Sequence, residues 1–210
     1  GDPEAPLPLG THTETVVGPL LHAGFDVLVD GWLYKFFAKL LLQGFTEPDL
    51  AVIFDRLRTD PALRHTDAEE ILAVARESVR RATEAMPGWF GRLPRALCQV
   101  EPIPDFLAAD APYAYYFPPA PDGSRPGTYF INTADPAGSS RTEAESIAFH
   151  EAVPGHHLQI AISQELDGLP EFQRHDGATS YIEGWGLYAE RLADEMGLYS
   201  APLDRLGMLT

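Results

Sequence analysis

The pattern of apolar and polar positions is most regular over residues 66–87, where apolar side chains recur every three or four residues. This spacing predicts an amphipathic helix. Thr66 and Glu69 are spaced as a capping box at its start, and Pro87 and Gly88 end it. The face that this helix is expected to bury contains Ile71, Val74, Ala75, Val79 and Ala82.

Further helices are predicted on both sides of this segment. Residues 16–45 form the most apolar region and are interpreted as one or two core helices, and residues 46–61 as a short helix. Thr142 and Glu145 have the spacing of a second capping box, so another helical region begins there. That region is broken at Pro154-Gly155. The chain is therefore expected to be mainly α-helical.

Two runs of aromatic and β-branched residues, at 113–117 and 128–132, flank a turn rich in Pro, Gly and Asp. They predict a small β-hairpin. The preceding segment, residues 87–112, contains five prolines and is interpreted as a connector that lies over the core.

The net charge of the chain bears on which macromolecules it can bind. The 210-residue chain has a formal net charge of −16, which repels phosphate backbones, so nucleic acid is not expected as a partner. Charged residues interrupt the apolar region 16–45, so no membrane span is predicted. The sequence shows no signal peptide, which fits either a cytoplasmic protein or one exported by a leader outside this sequence. The oligomeric state is left open.

Residues 148–159, AFHEAVPGHHLQ, contain three histidines, one glutamate and an interrupting Pro-Gly pair. His150 and Glu151 follow the apolar position Ile147 by three and four residues, so both are expected to point toward the interior. A buried His-Glu pair is costly unless a partner satisfies it, and a divalent cation would do so. The segment therefore predicts a metal site.

The Pro-Gly pair changes the usual geometry of such a site. In a His-Glu-x-x-His motif the second histidine follows the first by four residues, but that position here is Pro154. In a straight helix His156 and His157 would lie about 9 and 10.5 Å beyond His150. A break at Pro-Gly brings a later histidine back beside His150. We expect His156 to be the second ligand; His157 is the alternative, or else contacts substrate or supports a ligand.

A third ligand is expected in residues 181–197, which are predicted to form a helix. Glu183 lies at the edge of its apolar face. Gly184 and Gly186 would permit a close approach by another group, and helix propensity alone would not select two glycines here. The same stripe continues with two acidic residues, Glu190 and Asp194. Both are placed to orient the histidines.

Four segments carry a resemblance to a known family: LPRALCQVEPIP at 93–104, RPGTYFINT at 125–133, HEAVPGHHLQ at 150–159 and EGWGLYAERLADEMG at 183–197. Residues 66–210 resemble the bacterial family called domain of unknown function 885. Its members look like zinc-dependent hydrolases of the gluzincin type. The resemblance implies a longer, mainly α-helical metallopeptidase-like protein with a deep cleft. It also implies one zinc ion on His150, His156 or His157, and Glu183.

These observations favour a zinc-dependent peptidase in which Glu151 is the general base for a metal-activated water. An extended peptide is expected to pair with the strand at Thr128–Asn132, with Tyr129 lining the cleft. Tyr129 and His157 are both expected to be catalytic residues. Hydrolysis of non-peptide amides or esters at the same site is one alternative. A non-catalytic helical interaction domain is another.

The organisation expected from this interpretation is one continuous domain. Residues 1–105 would form a helical scaffold with the Pro-rich connector, and residues 106–210 a catalytic core portion with the hairpin and the metal-binding helices. The chain begins at Gly1 without methionine and ends within an amphipathic segment, so we interpret it as a fragment of a longer protein.

Overall fold

The computed structural model describes residues 50–209, and the helices predicted within residues 16–45 lie outside the described residues. Residues 50–208 form one compact unit. The helices are α1 Leu50–Thr59, α2 Ala68–Ala85, α3 Asp105–Ala108, α4 Arg141–Glu151, α5 His156–Gln164, α6 Glu171–His175 and α7 Thr179–Glu195. The strands are β1 Cys98–Pro102, β2 Ala114–Phe117 and β3 Gly127–Ile131, and short 3-10 helices occupy Pro61–Leu63, Met86–Gly88 and Leu203–Leu209.

Helix α4 occupies the centre of this mainly helical unit, because it packs against α2, against α7 and against strand β2. Its buried residues Ala148 and Phe149 belong to a core that also includes Ile71 from α2 and Tyr129 from β3. Burial of this apolar surface is the main favourable term that holds the helices on the sheet. Within residues 50–209, none of the helices has both the length and the apolar character needed to cross a membrane.

Helix α2 starts one residue later than its predicted capping box. Its N-cap is Asp67, whose carboxylate accepts the Glu70 amide at 2.8 Å. The Glu70 carboxylate in turn accepts the amide and hydroxyl of Thr66, at 2.7 and 2.9 Å. The predicted pairing of Thr66 with Glu69 is therefore wrong, because an Asp at the cap and a Glu three residues later satisfy the same helix-start pattern.

Glu145 also differs from its predicted role as part of a capping box. Its side chain is 5% exposed and accepts hydrogen bonds from Arg81 at 2.7 Å and from the Ser200 amide at 2.8 Å. Ser140 is the N-cap of α4, and its side chain does not cap the helix. Glu145 instead joins α4 to α2 and to the segment after α7, which fixes the central helix between its neighbours.

The sheet has the strand order β1-β3-β2, with β1 parallel and β2 antiparallel to β3. The antiparallel pair confirms the predicted hairpin, whereas β1 was predicted as connector. Because β3 is the central strand, both of its edges are occupied. The prediction that Thr128–Asn132 pairs with a peptide substrate is therefore wrong. Within the described part of the chain, the edge strand next to α4 is β2.

We predict that Glu145→Gln lowers the free energy of unfolding by about 2 kcal/mol, because it leaves Arg81 without its buried charged partner. Glu84→Gln is the matched control, since Glu84 pairs with Arg80 at the exposed surface of α2. That variant is expected to unfold like the wild type. Urea unfolding followed by circular dichroism measures both, and equal shifts would show that Glu145 has no special structural role.

Candidate metal centre

Four residues, Ala152–Gly155, interrupt the helical region between α4 and α5. Ala152 has a non-helical backbone conformation, with φ −99° and ψ −106°, and the Val153–Pro154 peptide bond is cis. The His157 amide donates to the Ala152 carbonyl oxygen at 3.0 Å, which starts α5. A Cβ atom at position 155 would clash with the carbonyl oxygens of Phe149 and His150, so glycine is needed there for space.

Three potential ligand atoms lie together next to this interruption. The Glu183 Oε2 atom lies 3.3 Å from His150 Nε2 and 3.8 Å from His156 Nε2. The two imidazole rings are nearly perpendicular, with centroids 4.6 Å apart. One ligand atom from each of these residues lies within 4.8 Å of the others. The structure therefore groups the three residues that the sequence named as metal ligands.

Glu190 holds the ring of His150 from the side opposite Glu183. Its Oε1 atom lies 2.7 Å from His150 Nδ1, so this nitrogen donates its proton and Nε2 faces Glu183. Burial lowers the pKa of His150, but Glu190, Glu151 and Glu183 outweigh burial and raise that pKa above its usual value. Asp194, which the sequence placed beside Glu190 in this role, pairs instead with Arg191 and Arg205.

His156 is 6% exposed, and its Nδ1 atom has no hydrogen-bond partner among residues 50–209. Burial and the nearby His150 lower its pKa to about 4, so the ring is neutral at physiological pH. A neutral imidazole is the form that ligates a metal ion, and the Nε2 atom of this ring faces Glu183.

Glu151, the last residue of α4, is half-buried beside this cluster. Burial raises the pKa of its carboxyl group to about 7. Glu183 and Glu190 contribute to this increase in pKa, while His150 and the backbone amide of Tyr116 in β2 act in the opposite direction. The carboxylate thus lies between the cluster and strand β2.

The cluster is open to solvent on one side. The Glu183 side chain is 53% exposed, whereas the side chains of His150 and His156 are 15% and 8% exposed. Among the described residues, the group contains three ligands, which leaves a fourth tetrahedral position for water or substrate. Structural zinc sites, in contrast, use four protein ligands.

Helix α7 packs closely against His150 and against the four-residue interruption that follows α4. A Cβ atom at Gly186 would lie 2.5 Å from Cε1 and Nε2 of His150, so the helix backbone meets this ring directly. Trp185 Nε1 donates to the carbonyl oxygen of Pro154 at 2.9 Å. The glycine and the tryptophan of the Glu-Gly-Trp-Gly segment therefore position His150 and the turn after it.

His157 and Tyr129, which the sequence named as catalytic residues, are both buried. His157 is 1% exposed, and its ring nitrogens lie 2.8 Å from the Tyr116 hydroxyl and 3.0 Å from the Ala96 carbonyl oxygen. Both nitrogens are engaged within the protein, and His157 is not part of the group formed by His150, His156 and Glu183. Tyr129 is fully buried in the core and does not line a cleft. Sequence periodicity could not reveal these contacts, because they join segments far apart in the chain.

Comparison with known proteins gives the family. The model of a family described as bacterial protein of unknown function (DUF885) matches residues 35–210. This chain belongs to the DUF885 family. No curated protein matches it. The family description gives no activity, so the function of this DUF885 chain has to be argued from its site.

Two solved structures resemble the DUF885 chain. A candidate lipoprotein from Colwellia psychrerythraea is 32% identical, with a TM-score of 0.79 over 86% of this chain. A candidate lipoprotein of unknown function from Shewanella oneidensis is 21% identical, with a TM-score of 0.55 over 85% of this chain, which shows a shared fold alone. The chain covers 32% and 34% of these proteins, so it spans about a third of their length.

We predict that Gly186→Ala lowers zinc affinity by at least about tenfold, the size expected when the support of a metal ligand is lost. The added methyl group would displace the His150 ring. Gly184→Ala is the matched control, because nothing lies within 4 Å of a Cβ atom there. Both changes raise helix propensity by the same amount, about 1 kcal/mol.

Zinc affinity in this experiment is measured by competition with a chromophoric chelator. An equal effect of the two substitutions, or none at position 186, would contradict the close approach of α7 to His150.

Proposed function

We propose that this chain carries the catalytic residues of a zinc-dependent hydrolase that cleaves peptide bonds. The observation that supports this proposal is the convergence of His150, His156 and Glu183, with Glu151 beside them and one side open. Two imidazoles and a carboxylate with an open position form the donor set of many zinc hydrolases.

The spacing of the donor atoms fits one zinc ion. Ligand bonds of about 2.0 Å in a tetrahedral arrangement place neighbouring ligand atoms about 3.3 Å apart. The Glu183 oxygen lies 3.3 Å from His150 Nε2 and 3.8 Å from His156 Nε2. The hydrogen bond between Glu190 and His150 Nδ1 leaves the Nε2 lone pair for the metal.

Zinc at such a site polarises a carbonyl group and makes water a better nucleophile near neutral pH. We assign the proton transfers of the reaction to Glu151. Its carboxylate takes a proton from the attacking water and delivers it to the nitrogen of the leaving amine. The Tyr116 amide and the end of α4 hold this carboxylate between the metal ligands and strand β2.

Strand β2 offers the edge along which an extended peptide would bind. In the antiparallel register Tyr116 lies opposite Tyr129, and Asn132 donates to the Tyr113 carbonyl oxygen at 2.7 Å. Backbone groups alternate in direction along such a strand, so those of Tyr113 face β3 and those of Ala114 and Tyr116 face outward. A peptide added at this edge would pass the carboxylate of Glu151.

The mainly helical unit with a small sheet beside the metal ligands supports a metallopeptidase-like fold of the gluzincin type. The two similar structures are described as candidate lipoproteins. We therefore propose that the whole protein is exported and held at a membrane surface, and that it digests peptides outside the cytoplasm.

The general base has a direct test. Glu151→Gln is expected to retain zinc and lose at least about 100-fold in kcat, because Gln cannot accept the proton from water. Glu143→Gln, on the first turn of the same helix, is the control and should keep normal turnover. Hydrolysis of an internally quenched hexapeptide library provides the rates.

Unchanged turnover in Glu151→Gln would reject Glu151 as the base. Hydrolysis confined to acylated amino acids or esters would support metal-dependent hydrolysis but reject peptides as the substrate class. Absence of any turnover in a zinc-loaded protein would favour a non-catalytic interaction domain.

Metal content tests the ligand set independently of activity. Protein purified without an affinity metal column is expected to contain about one zinc ion per chain. His150→Ala and His156→Ala should lose it, whereas His157→Gln should retain it. Elemental analysis measures the content. Loss of zinc in His157→Gln with retention in His156→Ala would assign the second ligand to His157 instead.

A further inference from the structure

A chain of two hydrogen bonds crosses the interior next to the candidate metal centre. The Tyr116 hydroxyl in β2 lies 2.8 Å from His157 Nδ1, and His157 Nε2 lies 3.0 Å from the Ala96 carbonyl oxygen. The two rings meet edge to face, with centroids 5.6 Å apart. His157 belongs to the first turn of α5, so this chain joins β2, α5 and the segment before β1.

The direction of both hydrogen bonds follows from the chemistry of the partners. A carbonyl oxygen only accepts, so His157 Nε2 must carry the proton that it donates to Ala96. His157 Nδ1 then has a lone pair and accepts from the Tyr116 hydroxyl. A single tautomer satisfies both contacts, which fixes the ring and the strand relative to each other.

Gly127 provides the space for this contact. A Cβ atom at position 127 would lie 2.5 Å from the Tyr116 hydroxyl oxygen and 2.6 Å from His157 Nδ1. Gly127 lies in the central strand β3, where it pairs with Cys98 of β1. The sheet therefore has a gap directly under the hydrogen bond, and any larger residue would push Tyr116 and His157 apart.

Tyr116 contacts the candidate site through its backbone as well as its side chain. Its hydroxyl is held by His157, and its amide faces the carboxylate of Glu151 at the outer edge of β2. His156, the residue before His157, faces Glu183. The same turn of α5 thus holds a potential metal ligand on one side and the substrate edge of β2 on the other.

We propose that His157 is a positioning residue that holds the outer edge of β2 in register with the metal ligands, through the Tyr116 hydroxyl. This inference rests on the proposed function of the site. In this proposal His157, the second histidine of the His-His pair, aligns the backbone of a bound peptide with Glu151 and the metal ligands.

The test uses four variants of the zinc-loaded protein with a quenched hexapeptide. Tyr116→Phe removes the donor of the first hydrogen bond. His157→Gln keeps a donor for Ala96 but has no acceptor at the Nδ1 position, and a double variant combines both changes. Tyr115→Phe is the matched control, since the neighbouring Tyr115 stacks on Phe130 and contacts neither His157 nor Glu151 in the described structure.

Each single variant is expected to lower kcat/KM about five-fold, mainly by raising KM, the size of effect that loss of one hydrogen bond gives. Zinc content should stay normal. The double variant should be no worse than either single variant, because both remove the same interaction. Wild-type KM in Tyr116→Phe, or additive losses in the double variant, would overturn the proposal.

A second measurement separates this proposal from the proposed function. Hydrogen exchange of the backbone amide at position 116, followed by NMR, reports how firmly β2 is held and needs no turnover. Exchange should be about five-fold faster in Tyr116→Phe and His157→Gln and unchanged in Tyr115→Phe. Unchanged exchange in the first two variants overturns the positioning role, whereas absence of hydrolysis in the wild type rejects the proposed function alone.

Discussion

Between Glu151 and His156 four residues interrupt the helix, and the candidate site depends on that interruption. Helix α4 ends at Glu151, and α5 begins at His156, whose ring lies beside that of His150. Gly155 makes this possible because its backbone passes against the carbonyl oxygens of α4. Trp185 of α7 binds the same turn. The helix that supplies Glu183 therefore also stabilises the geometry of the two histidines.

The charges at the site explain why a cation suits it. Three carboxylates, those of Glu151, Glu183 and Glu190, lie around the His150 ring, and each influences the pKa of that ring. Carboxylates that share a small, partly buried volume repel each other and are costly to ionise together. A divalent ion would offset that repulsion, and Nε2 of His156 faces the same carboxylate of Glu183. Glu190 accepts the Nδ1 proton of His150, on the side of the ring opposite Glu183. Metal-binding histidines commonly have such a partner on the nitrogen that does not bind the metal.

The sequence predicted the parts of the structure that depend on local pattern. The α2 and α7 helices and the β2-β3 hairpin follow from spacing and turn residues. The pairing of His150 with His156 follows from the Pro-Gly break, and Glu183 was named from its place at the edge of an apolar face beside two glycines. Strand β1 was missed because a short strand beside a proline resembles a connector. The burial of Tyr129 was missed for another reason: which strand is central depends on β1, a contact between distant segments. Glu145 likewise meets Arg81 only in the folded chain.

Two adjacent histidines in one helical turn cannot perform the same task, and this explains the His-His pair. Successive residues of a helix point about 100° apart, so His156 and His157 face different neighbours. His156 faces α7 and Glu183, and His157 faces the sheet through Tyr116. Their chemistry is identical in the sequence, which is why pattern alone left the choice of ligand open. What distinguishes them is the partner: a carbonyl oxygen and a phenol occupy both nitrogens of His157, whereas Nε2 of His156 faces the carboxylate of Glu183.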